Sequence, residues 1–362
     1  MNSIKELIVE EIKTLFLLKK TERLWHIPLL ASLCTGIPLL IGYFLNDLSS
    51  GVLACIAGLV ILYLPSDSSI ADRMRTLFIC SLGFIVSFTI GLCFSFDPII
   101  SVFVLGIFSA CVHWLTLYFK TNPPGNFFFI MIAIVASCMP YSPQTIPVKI
   151  GLVASGTLFA CILALVYCLL MQNKNKPINK PVSTKITKNN YANFIEALIF
   201  GTFISGSLFV GHQLKMQNPY WIPISCLAVM QGASLHNIWR RTFHRILGTL
   251  IGLGLCWIIL SINKTSLSIC ISIILLQFIV EMLIVRHYAL AVIFITPMTI
   301  LIAETANPIF HNTDTLIFVR FWDILIGSAI GSIGGWFIYH EKIRYHAIRR
   351  IQKVSSSIKR RK

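Results

Sequence analysis

Long apolar segments separated by short polar and basic ones recur along the whole of this chain. A helix that crosses the hydrocarbon core of a bilayer needs roughly 20 apolar residues. Twelve segments meet this rule or fall a little short of it: 27–44, 51–64, 77–94, 99–119, 127–139, 148–171, 194–211, 221–232, 246–262, 267–285, 288–303 and 316–339. The sequence therefore predicts an all-α polytopic membrane protein with about twelve transmembrane helices.

The composition excludes a soluble globular protein, because 56% of the residues are hydrophobic and only 12% are charged. A net charge of +16 could indicate nucleic-acid binding. The cations, however, gather in short segments between apolar runs, which is the pattern of cytoplasmic loops in membrane proteins. We therefore expect no nucleic-acid partner. The 11 cysteines are scattered singly without metal-ligand spacing, so we expect no metal site.

The chain divides into five parts. Residues 1–26 have the spacing of an amphipathic helix, which lies on the membrane surface or packs on another part of the protein. Residues 27–171 and 194–340 form two halves of six predicted spans each, with a basic linker, 172–193, between them. Because six is even, the two repeats are predicted to be parallel. A basic tail, 341–362, is expected to contact anionic lipid headgroups.

The distribution of cations predicts the orientation. Most of the 30 Lys and Arg residues fall in segments that share one side of the membrane, among them the linker and the tail. The opposite side keeps Lys149, Lys215 and Lys264. The sequence therefore predicts that both termini are cytoplasmic.

One stretch in the second half combines aromatic, basic and small residues. Its members are Tyr220, Trp221, Gln231, Arg241, Arg245, Gly248, Thr249 and Gly252. Charge in mid-bilayer is costly, so we expect the arginines in a basic loop at the cytoplasmic surface. Gly248, Thr249 and Gly252 share one helix face and would let the backbone approach a neighbouring helix closely.

Together with the segments 288–297 and 320–327, this stretch resembles the fusaric acid resistance protein-like family, which includes aromatic acid exporters of bacterial inner membranes. The resemblance implies a bacterial inner-membrane efflux transporter for small organic, chiefly aromatic, carboxylates, coupled to protons and needing no cofactor. It leaves open a homodimer and a periplasmic adaptor as partners. A passive organic-anion channel and a non-transporting envelope scaffold are the alternatives. The motifs of hydrolases and nucleotide-binding loops do not occur, so we expect no enzyme.

Ionisable residues inside apolar segments are the candidates for proton coupling. Asp323 and Arg320 are three residues apart: they act as a titratable carboxylate with an anion-attracting arginine, or form a structural ion pair at the outer interface. Glu281 is a proton carrier or extends to the cytoplasmic surface near Arg286. His113 titrates near neutral pH or is a hydrogen-bonded core residue.

Arg241 and Arg245 are candidates for binding carboxylate substrates, or else hold their loop inside the cell. Tyr220 and Trp221 stack against an aromatic substrate or anchor the chain at the interface. Pro223 and Pro297 adjoin family motifs and are candidate hinges, because proline kinks helices.

Overall fold

The computed structural model describes residues 21, 23–65, 68–171, 190–263, 265–306 and 313–340. Helices fill these ranges, and no strand occurs within them. The helices are α1 (His26–Phe44), α2 (Leu48–Gly58, continued by the 3-10 helix Leu59–Tyr63), α3 (Ile70–Cys93), α4 (Pro98–Phe119), α5 (Phe127–Ser137), α6 (Ile146–Leu170), α7 (Asn190–Gln213), α8 (Trp221–Met230), α9 (Leu235–Ile262), α10 (Ser266–Leu283), α11 (Tyr288–Ala306) and α12 (Thr313–Tyr339). The predicted all-α architecture is confirmed.

Three predicted elements fall wholly or mostly outside the described residues. They are the amphipathic helix over 1–26, the linker over 172–193 and the tail over 341–362. Of the linker, the last residues are described and belong to α7, which begins at Asn190.

Local chemistry sets several helix boundaries. The Asp97 carboxylate accepts hydrogen bonds from the backbone N–H groups of Ile99 and Ile100 at 2.8 and 2.9 Å. Pro98 follows at the first helical position, where the helix needs no donor. Thr265 and Ser268 form a reciprocal capping box at the start of α10. Such caps satisfy backbone groups that the helix itself leaves open.

Nine of the described helices are long and apolar enough to cross a membrane, which makes this a multi-pass membrane protein. The other three, α2, α5 and α8, are shorter. All ten residues of α8 are buried. Because a helix of 10 residues covers about 15 Å, half the hydrocarbon thickness, α8 depends on the surrounding helices for its place in the bundle.

The two halves repeat the same packing scheme. In the first half α3 packs on α5 and α6, and α2 packs on α1 and α6; in the second half α9 packs on α11 and α12, and α8 packs on α7 and α12. The halves also interlock, because the first helix of each packs on the fourth helix of the other: α7 on α4, and α1 on α10.

We call the α4–α7 contact the first seam and the α10–α1 contact the second seam. Each seam has its own apolar core. At the first, Leu105 of α4 shares a buried cluster with Phe200 and Ile204 of α7. At the second, Leu39 of α1 shares one with Ile273 of α10. The fold is therefore held together by apolar contacts between the halves as well as within them.

Candidate functional site

Small residues of the family motif bring α9 and α11 together. A Cβ atom added to Gly248 would lie 2.8 Å from the Ala289 carbonyl oxygen, and one added to Gly252 would lie 2.7 Å from that of Ile293. Pro297 has no N–H group, so the Ile293 carbonyl lacks its normal helical partner. The glycine of one motif thus packs over the carbonyl that the proline of the next motif leaves open.

The basic residues of the motif lie within a helix. We predicted a loop before a span at 246–262, but α9 begins at Leu235, where the Ser234 side chain accepts a hydrogen bond from the Asn237 N–H. Arg245 is 7% exposed. The prediction of a loop was wrong. The first part of α9 is polar and has low hydropathy, which suggested a loop, but its arginines find partners inside the protein.

Those partners come from α8 and α11. Arg245 Nη2 donates to Ser225 Oγ at 3.2 Å, and its Nη1 lies 3.4 Å from the Tyr288 hydroxyl. Arg241 Nη1 donates to the Ala228 carbonyl at 3.1 Å, and its guanidinium lies 4.9 Å from the Tyr288 ring centroid. The two arginines therefore tie α9 to its neighbours from within.

Arg320 of α12 is buried against an aromatic ring of α8. Its guanidinium carbon lies 3.2 Å from the ring centroid of Trp221, a close cation–π contact. Its Nη2 donates to Thr299 Oγ1 at 3.3 Å. Its Nε and Nη1 have no hydrogen-bond partner among the described residues. Three of the five N–H groups of this guanidinium thus lack an acceptor among the described residues.

Asp323 lies on the same helix and is 1% exposed. It interacts electrostatically with Arg320, but no ion pair within 4 Å joins the two in the described part of the chain, and Asp323 Oδ1 has no hydrogen-bond partner there. Ten residues of helix, about 15 Å, separate it from Thr313, the first residue of α12.

Unpaired polar atoms concentrate on α9 and α12, which pack against each other. Among the described residues, the buried atoms of these two helices without a hydrogen-bond partner include Arg245 Nε, Thr249 Oγ1, Arg320 Nε, Arg320 Nη1, Asp323 Oδ1 and Ser328 Oγ. The corresponding helices of the first half, α3 and α6, carry none in their described length. Because a buried polar atom is costly without a partner, this concentration indicates a binding site.

Tyr220 and the two candidate hinge prolines have distinct surroundings. The Tyr220 ring lies 4.8 Å from the Trp221 ring, and its hydroxyl interacts electrostatically with Arg320. Pro223 is in the first turn of α8, where proline removes no helical hydrogen bond. Pro297 lies inside α11, where it does. A hinge at Pro297 agrees with this chemistry, whereas α8 gains no kink from Pro223.

Glu281 lies at the second seam rather than in the binding site. Its Oε2 accepts from Arg23 Nη2 at 2.9 Å, and its backbone carbonyl accepts from Nη1 of the same arginine at 3.2 Å. The Glu281 side chain is 6% exposed. The acid therefore pairs with an arginine just before α1 and not with the nearby Arg286.

His113 lies at the first seam, in a chain of polar side chains. Its Nδ1 is 2.8 Å from Asn126 Nδ2, and Asn126 Oδ1 accepts from Gln231 Nε2 at 2.9 Å. Its Nε2 is 3.6 Å from Glu196 Oε1. Its ring stacks on Phe200 at 4.1 Å with an interplanar angle of 3°. His113 is thus both packed and hydrogen-bonded.

Sequence reasoning missed Arg23, Glu196 and Asn126. A signal existed for Glu196, the acid early in the apolar run of α7. For Asn126 the signal was its place before α5, because asparagine there normally caps its own helix. The Asn126 side chain makes no such cap. Arg23 carried no signal, since its partner is 258 residues away.

Comparison with known proteins places this site in a recognised domain. Residues 204–334 match the sequence model of a family described as fusaric acid resistance protein-like. In 145 residues, the chain is 33% identical to the uncharacterized membrane protein YvaC of Bacillus subtilis (strain 168); this match covers 40% of the chain and 23% of the relative. No solved structure matches the chain. The predicted resemblance to the fusaric acid resistance protein-like family is thus confirmed over residues 204–334.

Proposed function

We propose that this protein is an efflux carrier of the bacterial inner membrane, with both termini in the cytoplasm, for small organic and chiefly aromatic carboxylates. The observation that carries the proposal is the guanidinium of Arg320, buried over the Trp221 ring with Nε and Nη1 unpartnered. Each of these nitrogens carries hydrogen that a carboxylate oxygen can accept, so a bound carboxylate would pair with the charge that the protein leaves without an acceptor. Trp221 and Tyr220 offer rings to an aromatic substrate.

Burial makes this arrangement costly without a ligand. Arg320 is 5% exposed, and a buried charge is tolerated when it is paired and hydrogen-bonded. Asp323 interacts with it only beyond 4 Å, and Thr299 supplies one hydrogen bond. A bound carboxylate would provide the missing acceptors and so contribute binding free energy.

Asp323 is the carboxylate we propose for proton coupling. It is buried on the helix of Arg320, within a segment apolar and long enough to cross a membrane, and ionisable groups inside such segments are typical of proton relays. A change in its protonation alters the field at Arg320 directly. The site thus places a candidate proton acceptor beside a candidate anion binder.

Counterflow in proteoliposomes tests the proposal. The probes are fusaric acid and 4-hydroxybenzoate as aromatic carboxylates and malate as an aliphatic one, each with and without an imposed proton gradient. We expect wild-type exchange of the aromatic acids and a loss of about tenfold or more in Arg320→Gln, as for a hydrogen bond to a charged group. Arg320→Lys keeps the charge but loses the fork, and should recover only part of the activity.

Arg75→Gln is the matched control, because Arg75 is an exposed arginine of the first half. If the wild type transports none of the probes, and cells carrying Asp323→Asn behave like wild-type cells, the alternative of a non-transporting envelope scaffold is favoured. Flux that follows the anion gradient and ignores the proton gradient would favour the passive channel and refute the coupling at Asp323.

A further inference from the structure

The two seams carry ionisable pairs at corresponding places. His113 is fifteen residues after Pro98, the first residue of α4, and Glu281 is fifteen residues after Ser266, the first residue of α10. Each faces a charged residue from the other half or its flank: Glu196 for His113, and Arg23 for Glu281. Arginine stays protonated at every relevant pH, so the positive charge of the second seam is permanent. Histidine makes the first seam dependent on protonation.

The hydrogen bonds around His113 have a defined direction. Gln231 Nε2 donates to Asn126 Oδ1, so the Asn126 amide nitrogen faces His113 Nδ1 and donates to it. A neutral imidazole that accepts at Nδ1 carries its proton on Nε2, which points at Glu196 Oε1 3.6 Å away. In this arrangement Nδ1 of the neutral ring accepts a hydrogen bond, while Nε2 has no hydrogen-bond partner among the described residues.

Protonation reverses that direction. The imidazolium donates from both nitrogens, so Nδ1 no longer accepts from Asn126. The Asn126 amide must turn its oxygen to the ring, and its nitrogen then faces Gln231, which must turn its own oxygen to accept. The hydrogen bonds between His113 and Asn126 and between Asn126 and Gln231 are both kept, with donor and acceptor exchanged. The charge on the imidazolium also strengthens the contact of Nε2 with Glu196.

The surroundings of His113 contain few other ionisable groups. Among the described residues of the helices packed on α4, Glu196 is the charged residue α7 directs at the ring, and α5 has none. The charged residues of α3 are in its first turns, where Arg73 donates to the Ser68 carbonyl at 3.0 Å. On α4 itself the next cation is Lys120, the exposed C-cap.

Gln231, the last residue of this hydrogen-bonded series, is connected to the binding site through one helix. Gln231 is the C-cap of α8, and Trp221, which stacks on Arg320, is its first residue. The ten residues of α8 are all buried and span about 15 Å. A change at Gln231 therefore acts on a short, tightly packed helix that carries the proposed substrate contact.

We propose that His113 and Glu196 form a second proton-binding site, at the first seam, whose occupancy is transmitted through Asn126 and Gln231 to α8 and the anion site. The inference rests on the proposed function, because its output is the anion site. His113 acts here as a positioning residue. The ligand of this site is a proton, which binds to His113 Nδ1.

The test is the pH profile of 4-hydroxybenzoate counterflow between about pH 5.5 and about pH 8, the range in which histidine titrates. We expect the counterflow rate of the wild type to change in a single step within this pH range. His113→Gln should remove the step and keep the alkaline rate within about twofold, and Glu196→Gln should reduce the step, because the imidazolium loses the carboxylate that lies 3.6 Å from its Nε2. His212→Gln, at the other end of α7, is the control and should leave the profile unchanged.

Gln231→Ala is the decisive variant, because it leaves the His113–Glu196 pair intact and removes only the hydrogen bond from Gln231 to Asn126. A reduced step supports the transmission, and a full step overturns it; a step that persists in His113→Gln overturns the site itself. Should the wild type exchange none of the three probe acids, the proposed function fails. Hydrogen exchange of α8 at about pH 6 and about pH 8 then decides: a pH-dependent difference present in wild type and absent in His113→Gln supports the switch, and equal behaviour overturns it.

Discussion

The close approach of α9 to α11 can be tested with two glycines on one helix. Gly252 faces α11, and Gly254, two residues later, has no atom within 4 Å of an added Cβ. Gly252→Ala and Gly254→Ala make the same chemical change in the same helix. Any difference between them therefore reports the contact and not the intrinsic helix preference of alanine.

The structure gives the size of the effect. An added Cβ at Gly252 would lie 2.7 Å from the Ile293 carbonyl oxygen and 2.8 Å from Thr296 Cβ. The first of these is backbone, so relief requires the two helices to move apart. Overpacking of this kind costs about 1–3 kcal/mol, whereas alanine gains about 1 kcal/mol over glycine at either position. Because that gain cancels, Gly252→Ala should be less stable than Gly254→Ala by about 1–3 kcal/mol.

The assay is reversible unfolding in mixed micelles with a rising fraction of denaturing detergent, followed by circular dichroism for both variants and the wild type. Gly252→Ala should unfold first and Gly254→Ala last. Equal free energies of unfolding for the two variants, within about 0.5 kcal/mol, would refute the packing of the glycine motif on the Ile293 carbonyl.

Two further predictions concern charges outside the binding site. Arg23→Gln should cost about 3 kcal/mol of unfolding free energy, because it leaves Glu281 buried and unpaired, and the double variant with Glu281→Gln should recover most of it in a double-mutant cycle. Hydrogen bonds from Ser50 and Ser49 lower the pKa of Asp47, the exposed N-cap of α2. Asp47 therefore contributes to the free energy of unfolding above the pKa of an unfolded aspartate, about 3.9, and this contribution is lost as the pH falls through the lower pKa of the folded state. Thermal unfolding of Asp47→Asn should lack this acid-dependent decrease in stability.

Local sequence determined the helices of this protein. Apolar segments of membrane-spanning length, capping residues such as Asp97 and the small residues Gly248 and Gly252 act over a few neighbouring positions, so they can be recognised without the fold. The family resemblance rests on the same kind of local pattern. The start of α9 escaped this reasoning because its basic residues lower the local hydropathy, and their acceptors, such as the Ala228 carbonyl, belong to another helix.

Only the tertiary structure decided which polar residues meet. Arg23 reaches Glu281 across 258 residues because α1 packs on α10, and Gln231 reaches Asn126 across 105 because α8 packs on α5. Helix rotation and crossing set these pairings, and both depend on contacts that no short stretch of sequence encodes. The sequence by itself thus specified the membrane helices and the candidate Arg320, while the packing of α12 on α8 within the second half selected its place over the ring of Trp221.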